Sequence, residues 1–335
     1  MTVSPESNQT DDVSRETRSR SVGGMRFPAV AGDGAQTEDA GSDRIGWTPL
    51  PEEAKRSTTS PPAGAARLPR PDQRRIMTVA NQKGGVGKTT STVNLATALA
   101  VQGLRVLVID LDPQGNASTA LGVDHQSGVP SVYQLLLGEI GVAEAAATST
   151  QSENLSCVPA TIDLAGAEVE LVSMVAREAR LREALRPAVL DELDYDYVFI
   201  DCPPSLGLLT VNALVGAHEV VIPIQCEYYA LEGLGQLINN IELVQSYLNP
   251  GLNVSTVLLT MYDGRTKLAE QVTQEVRGYF GERALRTVIP RSVKISEAPG
   301  FGQTVLSYDP GSRGSMSYLD AAREIAERGT ERKTS

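Results

Sequence analysis

The chain predicts an α/β fold, a single domain built on a mainly parallel β-sheet flanked by helices. Three observations carry this. From Ile76 onward, short apolar runs alternate with longer stretches of helical period, the form that βαβ units take in a sequence. A glycine-rich stretch separates the first apolar run from the first helical one. Aspartates close two of the later runs, at Asp110 and Asp201, which puts charge at the strand ends where an open parallel sheet binds its ligands.

Taken in order, residues 1–74 are rich in Ser, Thr, Gly, Pro and mixed charge, lack an apolar period, and read as a disordered tail. Phe27 and Trp47 are its isolated aromatics, and Met25 and Met77 are alternative starting points. The folded domain is expected over 75–328, with 329–335 a flexible C-terminus. Strands are expected from Ile76 to Ala80, Arg105 to Asp110, Tyr197 to Asp201, Glu219 to Ile224, Val254 to Thr260 and Arg286 to Ile289. A helix from Lys88 to Gln102 carries Val93, Ala96, Thr97 and Ala100 on one stripe and stops at Gly103. Further helices are expected from Ala165 to Leu185, Leu231 to Leu248 and Lys267 to Phe280.

The net charge is −11, and all of it lies beyond residue 75, where 19 basic face 30 acidic side chains. Such a field repels a polyanion, so any nucleic-acid contact has to come from a local patch of Lys and Arg. Cys157, Cys202 and Cys226 form no C-x-x-C pair, which points away from a zinc site or a disulfide framework. No stretch approaches the roughly 18 apolar residues of a membrane span. No integral membrane association is therefore expected, and the location expected is cytoplasmic.

The loop Lys83-Gly84-Gly85-Val86-Gly87-Lys88-Thr89-Thr90 is a variant of the phosphate-binding pattern G-x-x-x-x-G-K-[ST], with Gln82 at the first glycine position and an added Lys83. Its glycines let backbone N–H groups curl around a phosphate, and the helix beginning near Lys88 aims its positive end there. Lys88 is expected at the β- and γ-phosphates of ATP, and the Thr89 hydroxyl on Mg²⁺. This makes the fold a P-loop NTPase domain. Asp201, closing the run Val198-Phe199-Ile200, is the second Mg²⁺ candidate, acting through water. Asp112 lies further into its loop than Asp110 and is the candidate for orienting the attacking water.

Beyond these residues the chain resembles the ParA/Soj family of partitioning ATPases, which belongs with MinD in the deviant Walker A group. The resemblance rests on residues 83–90, on Asp110-Leu111-Asp112-Pro113-Gln114-Gly115-Asn116, on Asp201-Cys202-Pro203-Pro204-Ser205-Leu206-Gly207, on Gln225 to Gly233 and on Pro290-Arg291-Ser292. It covers the folded part and none of the first 74 residues. It implies that Lys83 reaches across an ATP-sandwich homodimer to the partner's nucleotide, and that Asp112 positions the hydrolytic water. It further implies that the loops from Asp112 to Ser118 and Asp201 to Ser205 act as switches, and that Pro290 to Ser292 lies against adenine, with Ser292 where the family usually has Asn. The family's ATP dimer binds double-stranded DNA without sequence preference, on the nucleoid, and is released by a ParB-type centromere-binding protein. Arg265, Arg291 and Lys294 are the candidate DNA contacts, and the tail is a candidate link to a polar scaffold.

Three other readings compete. A MinD-like membrane-cycling ATPase would need an amphipathic anchor; the last helix has Leu319, Ala322, Ile325 and Ala326 on one face but lacks a broad apolar face and a basic one. A nitrogenase-type iron protein would need paired cysteines for its cluster. A non-catalytic ATP-gated DNA scaffold would have no need of Asp112 and Lys83.

Overall fold

The computed structural model describes residues 67–228 and 234–330. Its centre is an eight-stranded sheet in the order β3-β4-β2-β5-β1-β6-β7-β8. The strands are β1 (Arg75–Val79), β2 (Val106–Asp110), β3 (Ala147–Thr148), β4 (Leu155–Val158), β5 (Tyr197–Asp201), β6 (Glu219–Gln225), β7 (Asn253–Tyr262) and β8 (Ala284–Pro290). All pairings are parallel except that of β3 with β4. β1, β2 and β5 are buried along their whole length, which explains their unbroken apolar runs: a central parallel strand has helices on both faces.

Each face has its own core. On one, the helices Lys88–Val101 and Arg313–Thr330 bury Leu95, Leu99, Tyr318 and Ile325 against Met77, Val108 and Phe199. On the other, the helices Leu208–Gly216, Leu234–Tyr247 and Lys267–Phe280 bury Leu209, Leu237, Ile241 and Val276 against Ile76, Ile200 and Ile222. After β1 the chain crosses to β2, leaving a gap that β5 later fills, while β6 goes to the other side of β1. This reversal puts a crevice at the carboxyl ends of β1, β2 and β5.

The six expected strands are present, with β8 extended at both ends. Two were not anticipated. β3 has two residues and β4 only four, too few for a period to register. The expected helix from Ala165 to Leu185 is corrected to three segments: Leu164–Val172, a 3-10 turn at Arg177–Ala179, and Arg180–Ala184. Ala176 takes a left-handed φ of 52°, which an L-residue cannot adopt inside an α-helix. The helix expected from Leu231 is described from Leu234.

Of the expected tail, residues 1–66 lie outside the described residues, as do Phe27, Trp47 and 331–335. Residues 67–74 are described and pack on the amino rim of the sheet. Leu68 is buried and donates its N–H to Gln102 O, while Arg70 pairs with Asp196 at 2.6 Å and Arg74 with Asp191 at 3.0 Å.

Candidate nucleotide site

β1 delivers the chain to the crevice and Asn81 turns it. The Asn81 side chain donates to Pro223 O (2.8 Å) and accepts from Lys83 N–H (3.0 Å), pinning the start of the glycine loop to the end of β6. Gly85 and Gly87 hold φ of 73° and 89°, which glycine adopts without a Cβ penalty. Gly87 then caps the helix Lys88–Val101 with no side-chain hydrogen bond, so its first N–H groups stay directed at the crevice. Thr260 of β7 donates to Val86 O (2.8 Å) and fixes the crown of the loop from the other side.

Lys88 is 7% exposed and its Nζ donates to Lys83 O at 3.3 Å. Burial lowers its pKa, while Asp201, Cys202 and Asp112 pull it back up. Thr89 and Thr90 stand in the first turn, partly exposed. Lys83 is also partly exposed and makes no ion pair among the described residues.

Asp110 and Asp201 end β2 and β5 opposite one another in register, both fully buried. Asp110 is committed to the protein: Oδ2 accepts from Ser118 N–H (2.8 Å) and Ser118 Oγ–H (2.7 Å), and Oδ1 from Asp112 N–H (3.2 Å). Asp201 Oδ1 accepts from Thr92 Oγ–H at 2.8 Å, and its Oδ2 is buried with no hydrogen-bond partner among the described residues. Burial, and then the neighbouring Asp110 carboxylate, push Asp201 up to about 7, against the Thr89 and Thr92 hydroxyls. A buried carboxylate with a free oxygen beside a second carboxylate is a site short of positive charge, and a divalent cation reverses that balance. The residues present therefore fit Mg²⁺.

Asp112 is 8% exposed and accepts only Gln114 N–H (3.0 Å) among the contacts of its carboxylate. The Asp112–Ser118 loop is tight: Gly115 has φ 64°, and a Cβ there would lie 3.1 Å from both Ala160 O and His125 Nδ1.

The segment expected against adenine is joined to the same crevice through β7. Two residues beyond Thr260, Tyr262 O accepts Arg291 N–H (3.0 Å). Pro290 lines a shallow cleft with Val288, Gly311, Arg313 and Met316, and Ser292 is the N-cap of the short helix Val293–Glu297. Of the three candidate DNA contacts, Arg265 and Arg291 lie together, both acting on Asp263. Each cation has an acidic neighbour: Arg265 with Asp263 (2.7 Å), Arg291 with Glu227 (2.7 Å) and Lys294 with Glu297 (3.3 Å). These pairs are more than half exposed on the basic side, where solvent screening leaves an ion pair weak.

Sequence reasoning missed Thr92, Thr260 and Asn81. Thr92 lies one helical turn after Lys88, so it faces the same strand ends, and that spacing was the available signal. Thr260 and Asn81 act through tertiary contacts that leave no local pattern.

The chain is similar to known proteins in sequence and in fold. A family model described as an AAA domain matches residues 74–254. The sporulation initiation inhibitor protein Soj of Bacillus subtilis is 52% identical over 255 residues, 76% of this chain and 99% of that protein. The chromosome partitioning protein ParA of Myxococcus xanthus is 51% identical over 256 residues, 76% of this chain and 89% of that protein. Among solved structures, a cobyrinic acid a,c-diamide synthase from Mycobacterium smegmatis with bound ADP and magnesium is 40% identical with a TM-score of 0.63, covering 75% of this chain and 93% of that one. The septum site-determining protein MinD of Pyrococcus horikoshii, complexed with Mg-ADP, is 26% identical with a TM-score of 0.59, covering 77% and 100%. With half of its aligned residues shared with such relatives over nearly their whole length, the chain belongs to the ParA/Soj family of chromosome-partitioning P-loop ATPases.

Proposed function

We propose that this chain hydrolyses ATP to ADP and phosphate, slowly and with Mg²⁺, as the switch of a chromosome-partitioning system. In the ATP state two copies sandwich the nucleotides and bind double-stranded DNA without sequence preference, on the nucleoid in the cytoplasm. A ParB-type partner stimulates hydrolysis and releases them. The observation that carries this reading is the convergence of Lys88, Asp112 and a half-satisfied Asp201 on one crevice, with Lys83 at its mouth.

In this reading Gly84 to Thr90 cradle the phosphates, Lys88 neutralises the β- and γ-phosphates, and Pro290 and Ser292 flank the base. Mg²⁺, held by Thr89 and, through water, by Asp201, supplies charge neutralisation at the phosphates. Asp112 orients the attacking water: Asp110 has both oxygens engaged by Ser118 and Asp112 N–H, whereas Asp112 has capacity to spare. Lys83 serves the other copy's nucleotide, since phosphoryl transfer is assisted mainly by positive charge placed where negative charge builds up. Arg265, Arg291 and Lys294 meet DNA phosphates. A role for the tail in contacting a polar scaffold concerns residues outside those described.

Against a MinD-like membrane anchor stands the fate of the helix Arg313–Thr330. Ala322, Ile325 and Ala326 are fully buried in the core with Tyr318 and Leu319 is partly buried against it, so most of that face is committed to the domain. Against a cluster-bearing iron protein stands the burial of Cys157, Cys202 and Cys226.

The test is Lys83→Ala. With a non-hydrolysable ATP analogue and Mg²⁺, light scattering should show dimers of the wild type and monomers of the variant, while nucleotide titration shows both binding alike. ATP-dependent retention of the wild type on generic duplex DNA should fall steeply from low to moderate salt, as counterion release demands. Dimers of Lys83→Ala equal to wild type would remove the lysine from the interface.

A further inference from the structure

The helix Leu164–Val172 buries one apolar side and exposes another, with Glu168 and Glu170 between them. Leu164, Ala167 and Leu171 are buried against the domain. Facing away are Ile162 (67% exposed), Val169 (78%), Val172 (59%) and, just after the helix, Val175 (90%). Ala165 and Gly166 are exposed between them. A contiguous group of exposed branched aliphatics marks an interaction surface.

The surroundings of this helix identify its occupant. At its entry, Ala160 N–H donates to Ser118 Oγ (3.1 Å), the same hydroxyl that holds Asp110 at 2.7 Å. In its middle, Glu168 Oε1 accepts Leu209 N–H (3.3 Å), at the start of the helix that follows the Asp201–Gly207 loop. The segment from Ala160 through this helix thus links the loop after Asp110 to the start of the helix that follows Gly207. It follows β4 on the carboxyl rim of the sheet, the rim that any second chain must cover to bring its own Lys83 to this site. Two copies of a chain with net charge −11 repel one another. The aliphatic stripe itself is uncharged, with Glu168 and the exposed Glu170 along its edges, and gives that rim an opening where they can meet.

We propose that the exposed face of the helix Leu164–Val172 packs against a second copy of this chain in the nucleotide-bound state, with Glu168 tying the face to the loop after Asp201. This rests on the sandwich-dimer reading above and adds where the copies touch and how nucleotide reaches that contact. The hydrogen bonds from Ala160 to Ser118 and from Leu209 to Glu168 connect this face to both segments.

The test uses the full chain, a non-hydrolysable ATP analogue and Mg²⁺. The double variant Val169→Asp/Val172→Asp introduces charge at exposed positions and leaves the core intact; its dimerisation constant should weaken at least about tenfold, with monomer nucleotide affinity unchanged. Independently, the thiol of Val169→Cys should react with a maleimide at least about tenfold more slowly when the analogue is bound, because an interface excludes the reagent; the three native cysteines are buried. If the wild type stays monomeric while binding the analogue, the sandwich reading falls and this inference with it. If the wild type dimerises and the double variant dimerises equally, or the thiol reacts at the same rate in both states, only this inference is overturned.

Discussion

Lys88→Ala is expected to abolish nucleotide binding at ordinary concentrations, and it is the largest single effect the site offers. The ammonium is buried among the crevice carboxylates, 7% exposed, and its pKa is lowered by that burial while Asp201, Cys202 and Asp112 raise it. A charge-assisted hydrogen bond is worth about 1.5–3 kcal/mol. Loss of two such bonds to the β- and γ-phosphates therefore weakens binding by about 10²–10⁴-fold. A second consequence follows inside the protein. Without Lys88, the buried carboxylate Asp201 loses a nearby positive charge, which disfavours its ionised form. Isothermal titration with ATP and Mg²⁺ checks the first point, and affinity within threefold of wild type would remove Lys88 from the phosphate site.

Asp112→Ala is expected to leave ATP bound and turnover nearly absent. A positioned carboxylate that orients or accepts a proton from water contributes about 10²–10⁴ in rate, and the ATP-bound dimer should persist on DNA by a comparable factor. The carboxylate also accepts Gln114 N–H at 3.0 Å, so part of any loss could be a loosened loop. Asp112→Asn separates the two effects, because its amide oxygen still accepts that N–H while it lacks the charge. Single-turnover phosphate release should be slow in both variants. Wild-type turnover in either would take Asp112 out of the mechanism.

The framework of the fold was legible because its signals are local and repeated. β1, β2 and β5 announce themselves as continuous apolar runs, since burial on both faces leaves no polar alternation. The glycine loop is legible because left-handed φ at Gly85 and Gly87 demands a particular residue. What escaped was either too short or depended on distant partners. β3 pairs antiparallel with β4 over two residues, and the break at Ala176 has no Gly or Pro to mark it. Thr92 was invisible as an Asp201 partner because 109 residues separate them. The difference between Asp110 and Asp112 was half legible: spacing put Asp112 further out, but the capture of Asp110 by Ser118 appears only in three dimensions.

The stem of residues 67–74 has a practical consequence. It is fastened to Gln102, Asp191, Asp194 and Asp196 at the amino ends of the strands, the rim opposite the nucleotide crevice. A five-residue strand such as β1 spans about 17 Å, so whatever is joined ahead of residue 67 attaches at least that far from the phosphates. A fluorophore attached at position 67 itself would therefore stand on the rim opposite the crevice and report on that rim alone.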